Sequence, residues 1–243
     1  MNIPIFITHW TKLKRRKREL LERMKKEELD GRFIEKYDSQ DLDLESEWCL
    51  KFTNHLKSGE ASKNGAVISL FLKHIECYRI MIEENIEVAL ILEDDVLFEN
   101  DFKNKLSNYI NQLPDDWNVL CIGNGCGLHI SSKRFSEKKP PNVYLKYAGK
   151  IEGEGIGLYR CTDSYLINLK TATQIYGNFI KTNQNHINDA VDFWLNKTSS
   201  GLGHKMYWCE PTITRQGSQN GSYLSSVNYK REQEKDVLKD ESD

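Results

Sequence analysis

Short apolar strands alternate with amphipathic helices along this chain of 243 residues, and the alternation predicts an α/β fold with a mainly parallel central sheet. Residues 88–92 are five consecutive apolar residues, which is typical of a strand covered on both faces. Residues 66–84 repeat their apolar side chains at helical spacing, which predicts a buried helix just before that strand. In sheets of this kind, ligands bind at the carboxyl ends of the strands, so the functional residues are expected there.

The first half of the chain is predicted to alternate three strands with three helices. Each strand is a short run of β-branched, aromatic or aliphatic residues, and these runs cover residues 2–9, 32–37 and 88–92. Each helix has apolar residues at intervals of three and four, and these helices cover residues 10–24, 66–84 and 102–113. Gly31 ends the first helix and Pro114 stops the third. Residues 38–62 are polar and irregular.

The second half continues the pattern less regularly. Strands are predicted at 117–122, 162–169 and 205–209, and helices at 171–180 and 188–195. Residues 131–141 are basic and contain proline, which predicts a mobile surface loop, and the four glycines of residues 149–157 predict a flexible turn near the site. Residues 1–226 are predicted to form one domain, and residues 227–243 a charged C-terminal tail.

The first helix has an incomplete apolar stripe. Leu13 and Leu20 share one face, but Lys17 stands at the position that would join them. Thr11 is the predicted N-cap. The basic run of residues 12–18 is assigned to the solvent face of this helix, because nearby acids offset its charge. A phosphate-binding patch and a nucleic-acid site are the alternatives for this run.

The composition excludes several classes of protein. The chain is 39% hydrophobic and 29% charged, which is too apolar for a disordered protein. Its net charge of −2 provides no general basic field for nucleic acid. The mean hydropathy of −0.62, with no apolar run near 18 residues, predicts no transmembrane helix. The apolar residues 3–7 are too few for a secretion signal and the six cysteines form no C-x-x-C pair, so reduced thiols and a cytoplasmic location are predicted.

The acids Glu93, Asp94 and Asp95 directly follow the predicted strand 88–92. Adjacent carboxylates repel one another, and burial adds to the cost of ionising them. Mg²⁺ or Mn²⁺ offsets that cost, because these ions bind one or two carboxylates together with substrate phosphates. Along a strand, Glu93 and Asp95 would face one side and Asp94 the other. The sequence therefore predicts a site for a cation and a nucleotide diphosphate, with the cation neutralising the departing phosphate oxygens; a solvated turn is the alternative.

Other motifs give weaker signals. The glycines of residues 123–127 are not followed by the Lys-Ser/Thr of a P-loop, so a plain turn is predicted there. The six histidines show no H-E-x-x-H spacing, which argues against a zinc hydrolase. A serine-hydrolase G-x-S-x-G elbow is also missing from the sequence.

Residues 65–98 resemble glycosyltransferase family 25, which includes procollagen galactosyltransferases and bacterial lipooligosaccharide glycosyltransferases. His74, Tyr78 and the Glu93-Asp94-Asp95 triplet keep the mutual distances of the family's L-S-H helix and L-E-D-D-V strand end. Lys73 departs from the family pattern, which has serine before the histidine. Weaker matches bring the resemblance to about residues 2–226, and they lie at 13–24, 161–168, 190–195 and 211–216.

The resemblance implies a GT-A-like, Rossmann-type fold, a nucleotide-sugar donor that is most often a UDP-hexose, and dependence on Mn²⁺ (or Mg²⁺). Carried over to this sequence, it makes Glu93 and Asp95 the metal ligands and lets Asp94 touch the donor's ribose or sugar. Asp192 becomes the candidate acceptor-site carboxylate. It would act as a base on the acceptor hydroxyl if the enzyme inverts, and would position the acceptor if the enzyme retains. A charge that satisfies a helix N-terminus is the alternative role for Asp192.

Three polar residues beside the acidic strand are further candidates. Thr162, Asp163 and Ser164 would bind the donor sugar or the acceptor, with Asp163 the second candidate catalytic carboxylate; structural hydrogen bonds are the alternative. Gln216 follows the last strand, where many enzymes of this fold place a histidine ligand, and is a candidate donor-binding residue. Because that histidine is missing here, His204 is another candidate for a third ligand.

The ends of the first two strands are the predicted nucleobase site. Thr8, Trp10 and Tyr37 lie where a uracil ring would stack or hydrogen-bond. A role in the core is equally open for Trp10. His74 lies on an apolar helix face and is predicted to be a core histidine.

The sequence thus predicts a metal-assisted glycosyltransferase that moves a hexose from a nucleotide-diphosphate sugar to a hydroxyl of a glycan or protein. A non-catalytic nucleotide- or glycan-binding module on the same fold is the alternative, suggested by Lys73, the altered end of the first strand and the missing histidine. No nucleic-acid partner is expected, because the net charge argues against salt-sensitive oligonucleotide binding.

Overall fold

The computed structural model describes residues 3–42, 65–130, 135, 138–146, 160–182 and 190–226. Over these ranges the chain forms a seven-stranded sheet and a separate two-stranded sheet. Five strands of the large sheet run in one direction and two run against them. The α/β fold with a mainly parallel central sheet, predicted from the sequence, is confirmed.

The helices and strands follow one another in the predicted alternation. The strands are β1 (Ile5–Thr8), β2 (Arg32–Ile34), β3 (Val88–Glu93), β4 (Val96–Phe98), β5 (Val119–Cys121), β6 (Asn142–Leu145), β7 (Ser164–Asn168), β8 (Met206–Glu210) and β9 (Thr214–Gln216). The helices are α1 (Lys14–Lys26), α2 (Gly65–Glu83), α3 (Phe102–Ile110), α4 (Leu169–Thr182), α5 (Val191–Gly201) and α6 (Gly217–Asn220). The large sheet has the order β2-β1-β3-β7-β5-β8-β6, in which β6 and β7 are the antiparallel strands, and β4 pairs with β9.

An apolar core lies on each face of the large sheet. On one face α2, α4 and α5 pack over side chains such as Ile91 and Tyr165. On the other face α1 and α3 pack over Leu90 and Leu166. The central strand β3 is therefore buried on both faces, as its uninterrupted apolar sequence predicted.

The buried stripe of α1 differs from the prediction. Leu13 and Leu20 are buried, and the position between them is filled by Arg16, which is 1% exposed, rather than by Lys17. The basic run is therefore not all on the solvent face. A guanidinium group buried this deeply requires hydrogen-bonding partners, and those of Arg16 are the Asp94 carboxylate and the Leu224 carbonyl.

The start of α1 also differs from the prediction. The helix begins at Lys14 and has no side-chain cap, so Thr11 is not its N-cap. The backbone N–H and the hydroxyl of Thr11 instead donate to Asp38 Oδ2, at 3.1 and 2.5 Å. Thr11 thereby fixes the β1–α1 connection to the loop that follows β2.

Several predictions fall outside the described residues. These are the irregular segment beyond residue 42, most of the loop 131–141, the glycine-rich turn 149–157 and the tail 227–243. In the described part of the chain, none of the helices has both the length and the apolar character that crossing a bilayer requires.

Candidate active site

Four carboxylates gather where the central strands of the sheet end. Glu93 is the last residue of β3, and Thr8, the last residue of β1, lies opposite it. Asp163 directly precedes β7, and its carbonyl accepts a hydrogen bond from the Glu93 N–H at 2.9 Å. Asp94 and Asp95 form the turn between β3 and β4. The acidic triplet therefore leaves the strand after Glu93, so strand alternation does not orient all three side chains.

The Glu93 carboxylate contacts side chains from three parts of the chain. Its Oε1 accepts a hydrogen bond from the Thr162 hydroxyl at 2.9 Å, and its Oε2 accepts one from the Gln216 amide at 3.5 Å. The Nε2 atom of His74, on α2, lies 3.8 Å from Oε1. Two residues predicted to bind the donor, Thr162 and Gln216, are thus brought together around Glu93.

Asp95 is held by the start of α6. Its Oδ2 accepts a hydrogen bond from the Ser218 N–H at 3.0 Å, and its carbonyl accepts one from the Gly217 N–H at 2.8 Å. Its second carboxylate oxygen, Oδ1, is buried and has no hydrogen-bond partner among the described residues. A buried acceptor without a donor costs free energy, so this atom is suited to an added ligand.

Asp163 is fully buried beneath the glycine loop that follows β5. Its Oδ2 accepts a hydrogen bond from the Ser164 hydroxyl at 3.0 Å, while Oδ1 is buried and finds no partner within the described ranges. A Cβ atom on Gly123 would lie 1.8 Å from Oδ2, and one on Gly125 would lie 2.9 Å from Oδ1. The loop interpreted from the sequence as a plain turn therefore needs these glycines because its backbone lies against Asp163.

The three carboxylates of Glu93, Asp95 and Asp163 have unfavourable surroundings for negative charge. Burial, and then the charge of Asp95, raises the pKa of Glu93. Burial also raises the pKa of Asp95. For Asp163, burial and then the charge of Glu93 raise the pKa well above its ordinary value. The charge of Arg16 on Asp95 and that of Arg160 on Asp163 only partly offset the effect of burial, so binding of a proton or a cation would stabilise these carboxylates.

We predict that Asp163→Asn stabilises the metal-free protein against unfolding at neutral and alkaline pH. Because the folded-state pKa of Asp163 is raised, ionising its carboxyl group costs free energy in the folded protein, about 1.4 kcal/mol for each tenfold change in its acid dissociation constant. That cost is complete above the folded-state pKa and fades as the pH falls toward the ordinary value of 3.8. Urea unfolding in EDTA from pH 8 to pH 5 measures it, with the exposed Asp115→Asn as control. A stability difference that does not shrink at low pH would contradict this prediction.

A second prediction concerns the glycine loop. The methyl group in Gly123→Ala would overlap Asp163 Oδ2 and lie 2.5 Å from Ser164 Oγ, so the Asp163 carboxylate must move. We expect a loss of about 1–3 kcal/mol in the free energy of unfolding. The control is Gly177→Ala in α4, where a Cβ atom meets nothing within 4 Å and alanine should instead stabilise the helix. Equal stability of the two variants would show that the loop does not rest on Asp163.

Asp94 has a different set of partners from its two neighbours. Its Oδ2 lies 2.8 Å from His9 Nδ1 and accepts a hydrogen bond from the Trp10 N–H at 3.4 Å. Its Oδ1 lies 3.5 Å from Nη1 of Arg16. Burial tends to raise the pKa of Asp94, but the hydrogen bond from His9 and the charge of Arg16 outweigh it and lower the pKa. Asp94 is therefore an ionised link between the ends of β3 and β1; its predicted contact with the donor stays a prediction.

A chain of polar contacts holds Trp10 at the end of β1. The indole N–H donates to Gln40 Oε1 at 2.6 Å, and the Gln40 amide donates to Asp38 Oδ2 at 3.1 Å. The other Asp38 oxygen accepts a hydrogen bond from Lys73 Nζ at 2.6 Å, in an ion pair that is almost fully buried. Lys73, the residue that departs from the family pattern, thus supports Trp10 through Asp38 and Gln40.

The other two candidates for the nucleobase site are Thr8, the last residue of β1, and Tyr37, three residues after β2. The Thr8 hydroxyl is buried and donates to the Leu92 carbonyl at 3.4 Å. Tyr37 follows β2 with a positive φ of 68°, and the Lys36 ammonium lies 4.7 Å from its ring centre. Both residues end up at the carboxyl edge of the sheet, and their contact with a base stays a prediction.

Asp192 and His74 face the Glu93 side of the site. Asp192 is the second residue of α5 and is half-buried, and its charge acts on both Glu93 and His74. His74 is fully buried, with Nδ1 2.9 Å from the Tyr165 hydroxyl and Nε2 without a hydrogen-bond partner in the described chain. Burial lowers the pKa of His74 to about 3, so its ring is neutral. His74 is therefore a core histidine that also borders the acidic site.

His204 lies away from the acidic cluster. It lies two residues before β8, and its Nε2 lies 2.9 Å from Gln174 Oε1 on α4. The start of β8 pairs with the start of β5, which is the edge of the sheet opposite to Glu93. The prediction of His204 as a third metal ligand is therefore wrong, because strand direction and register put His204 and Glu93 at opposite ends of the strands.

The chemistry of the site fits a hard divalent cation. Asp95 Oδ1, Asp163 Oδ1 and Gln216 Oε1 are buried oxygen acceptors for which the described residues offer no donor. No three His, Cys, Asp or Glu side chains of the described chain already form a complete metal cage. Mg²⁺ and Mn²⁺ do not require one, because they bind through one or two carboxylates and complete their coordination with water and substrate phosphates.

Comparison with known proteins assigns this mainly parallel α/β chain, with its acidic triplet at the carboxyl end of β3, to a family of glycosyltransferases. Residues 2–194 match the model of the family described as glycosyltransferase family 25 (LPS biosynthesis protein). The chain belongs to this family, as the resemblance of residues 65–98 indicated.

Curated relatives include procollagen galactosyltransferase 2 from Homo sapiens and from Mus musculus. The human protein is 26% identical over 182 residues, and the mouse protein is 24% identical over 180 residues. Each match covers 71% of this chain and 27% of the relative. The chain thus spans about a quarter of the length of these relatives.

Solved structures with a similar fold include a glycosyltransferase involved in the glycosylation of the major capsid of PBCV-1. It is 10% identical, with a TM-score of 0.48, and the match covers 98% of this chain and 99% of that one. Mouse xyloside xylosyltransferase 1, in its apo form, is 14% identical with a TM-score of 0.41, covering 84% and 83% of the two chains. With identities and TM-scores this low, we infer nothing about function from either structure.

Proposed function

We propose that this protein transfers a hexose from a UDP-sugar to a hydroxyl group of a glycan or protein, with the assistance of Mn²⁺ or Mg²⁺. The observation that supports this most is the group of buried carboxylates, Glu93, Asp95 and Asp163, whose pKa values are all raised by burial. A diphosphate alone would be repelled by this group, whereas a cation between them makes the contact favourable. The names of the relatives, procollagen galactosyltransferases, support a hexose and in particular galactose.

Glu93 and Asp95 are the proposed metal ligands. When bound, the cation neutralises the charge that develops on the departing phosphate oxygens. Thr162 and Gln216 orient the Glu93 carboxylate, and the Ser218 N–H fixes one oxygen of Asp95 so that the other stays available. The chain's contribution to this step is to hold the two carboxylates by hydrogen bonds at the end of β3.

In this proposal, the donor's nucleoside binds at the ends of β1 and β2. Trp10 and Tyr37 offer aromatic rings there, Thr8 pairs with Glu93, and the Trp10 N–H donates to Asp94. The contacts from Gln40 to Trp10 keep the indole in one orientation. This arrangement supports a uracil base with its diphosphate directed toward Asp95.

In this proposal, the acceptor binds on the α5 side of Glu93. Asp192 supplies a half-buried carboxylate there, and Asp163 supplies a second one deeper in the site. In an inverting reaction, Asp192 would take the proton of the acceptor hydroxyl as it attacks the sugar. In a retaining reaction, Asp192 would hold that hydroxyl in position. Ser164 supports Asp163 through its hydroxyl.

A donor-hydrolysis screen tests this function. Purified protein would be incubated with UDP-, GDP- and CMP-sugars, each with Mn²⁺ and with EDTA. We expect release of UDP from a UDP-hexose in Mn²⁺ only. If no nucleotide sugar is hydrolysed and no nucleotide shifts the melting temperature, the transferase proposal fails and a non-catalytic glycan-binding module is favoured instead.

A further inference from the structure

One arginine of the basic run on α1 is buried where its neighbours are not. Arg16 is 1% exposed, whereas Arg18 on the same helix is exposed. Burial of a guanidinium group is costly unless charged and polar partners compensate for the lost water. The partners of Arg16 therefore indicate why it is buried.

Arg16 contacts two parts of the chain that are far apart in sequence. Its Nη1 lies 3.5 Å from Asp94 Oδ1, in the acidic turn. Its Nη2 donates a hydrogen bond to the carbonyl of Leu224, near the end of the described chain. Its guanidinium carbon also lies 5.0 Å from the centre of the Tyr223 ring. The Arg16 guanidinium group thus links the acidic turn, through Nη1, to the C-terminal segment, through Nη2.

Tyr223 adds further attachments of the C-terminal segment to α1. Its ring centre lies 5.4 Å from the guanidinium carbon of Arg15 and 5.7 Å from that of Arg23. Its hydroxyl donates to Glu19 Oε2 at 2.5 Å and accepts a hydrogen bond from Arg23. The ring is buried against three arginines, so this attachment is specific rather than a loose surface contact.

The same C-terminal segment binds the candidate metal ligands. Residues 216–218 contribute the Gln216 amide to Glu93 and the Ser218 N–H to Asp95. Gly217 lies so close to the Tyr223 ring that a Cβ atom there would be 2.5 Å from it. Movement of Tyr223 away from α1 would therefore also disturb the hydrogen bonds to Glu93 and Asp95.

We propose that Arg16 is a positioning residue that holds the acidic turn against the C-terminal segment 216–224. The proposal rests on the proposed function, because it assigns Arg16 to the donor-binding step of that site. Arg16 does not touch the substrate in this account. It sets the distance between Asp94 on one side and the segment that binds Asp95 on the other, and so determines how well the carboxylates receive the donor.

Lysine cannot replace Arg16 in this role. The guanidinium group presents donors in a fixed planar fork, so that one group binds Asp94 and the Leu224 carbonyl in two directions. A lysine ammonium at the same position is a single point charge and would satisfy one of the two. Arg16→Lys keeps the positive charge but removes the planar fork of donors. Arg16→Met removes both the charge and the donors.

The test compares Arg16→Lys and Arg16→Met with Arg18→Gln, an exposed control on the same helix. Hydrogen exchange of residues 214–226 measures how firmly the C-terminal segment is attached to α1, and it requires no substrate. The KM for UDP-hexose measures the effect on the donor site. We expect both Arg16 variants to exchange Ser218 and Tyr223 amides about 10-fold faster and to raise KM about 10-fold with a smaller change in kcat. Arg18→Gln should behave as the unmodified protein.

Exchange rates and KM values of the Arg16 variants equal to those of Arg18→Gln would overturn the proposal. If neither Arg16 variant folds, Tyr223→Leu decides in their place, because it removes the other attachment: faster exchange at residues 217–218 with a raised KM supports the proposal, and unchanged values overturn it. An unmodified protein that binds no UDP-sugar would instead defeat the proposed function, while the exchange measurement would still test the attachment.

Discussion

Asp95→Asn is expected to lower hexose transfer by about 10³-fold while the protein remains folded. The variant keeps an oxygen that can accept the Ser218 N–H, so the turn and α6 should keep their positions. The variant loses the negative charge that a cation requires. This charge lies at Asp95 Oδ1, the oxygen for which the described chain offers no donor. Because burial makes the Asp95 carboxylate costly to ionise, the variant should be at least as stable as the unmodified protein.

The measurement for Asp95→Asn is the initial rate of UDP release with Mn²⁺, together with circular dichroism and the unfolding midpoint. Asp115→Asn, an exposed change of the same chemistry, is the control and should keep the full rate. A rate for Asp95→Asn within twofold of the control would show that this carboxylate does not serve the reaction.

Asp192→Asn is expected to separate donor binding from transfer. Removing a general base costs about 10²–10⁴-fold in rate, so transfer to the acceptor should fall by that amount. The affinity for UDP and Mn²⁺ should change little, because Glu93 and Asp95 are intact. The carboxylate also lies in the first turn of α5, where its loss should cost about 0.3–1 kcal/mol of stability through the helix dipole.

Calorimetry of UDP binding and the acceptor-dependent rate would be measured on the same preparation of Asp192→Asn. Ser200→Ala, exposed on the same helix, is the matched control. If transfer by Asp192→Asn matches that of Ser200→Ala, Asp192 is only a favourable charge at a helix N-terminus.

The central part of the site could be predicted from the sequence for a simple physical reason. An uninterrupted apolar strand, 88–92, must be buried, and the acids that follow it must leave the sheet at its carboxyl edge. Asp163 could also be predicted as a site residue, because it directly precedes the strand β7. Register then brings Asp163 beside Glu93, which spacing along the chain does not reveal.

Arg16, His9 and the glycine loop were misjudged or missed because their roles depend on contacts between distant segments. Arg16 resembles its basic neighbours in sequence, and only the fold places it beside Asp94 and Leu224. Gly123 resembles any turn glycine until Asp163 lies against it. The sequence did show a gap in the apolar stripe of α1. We expected Lys17 at that gap, whereas the buried residue there is Arg16.

Strands β4, β6 and β9 were not predicted for a related reason. The strands β4 and β9 have three residues each and pair with each other across more than a hundred residues of chain. Strand β6 joins the edge of the sheet through β8. Segments this short have too few residues to show the alternation of apolar and polar side chains that marks a strand. Their conformation depends on pairing with the partner strand.

Electron paramagnetic resonance of Mn²⁺ tests the central claim most directly, because it counts free and protein-bound ion without requiring an acceptor. With UDP present, we expect about one bound Mn²⁺ per unmodified protein and a loss of most of that binding in Asp95→Asn. UDP that binds equally well in EDTA, with no Mn²⁺ held by the protein, would contradict the account.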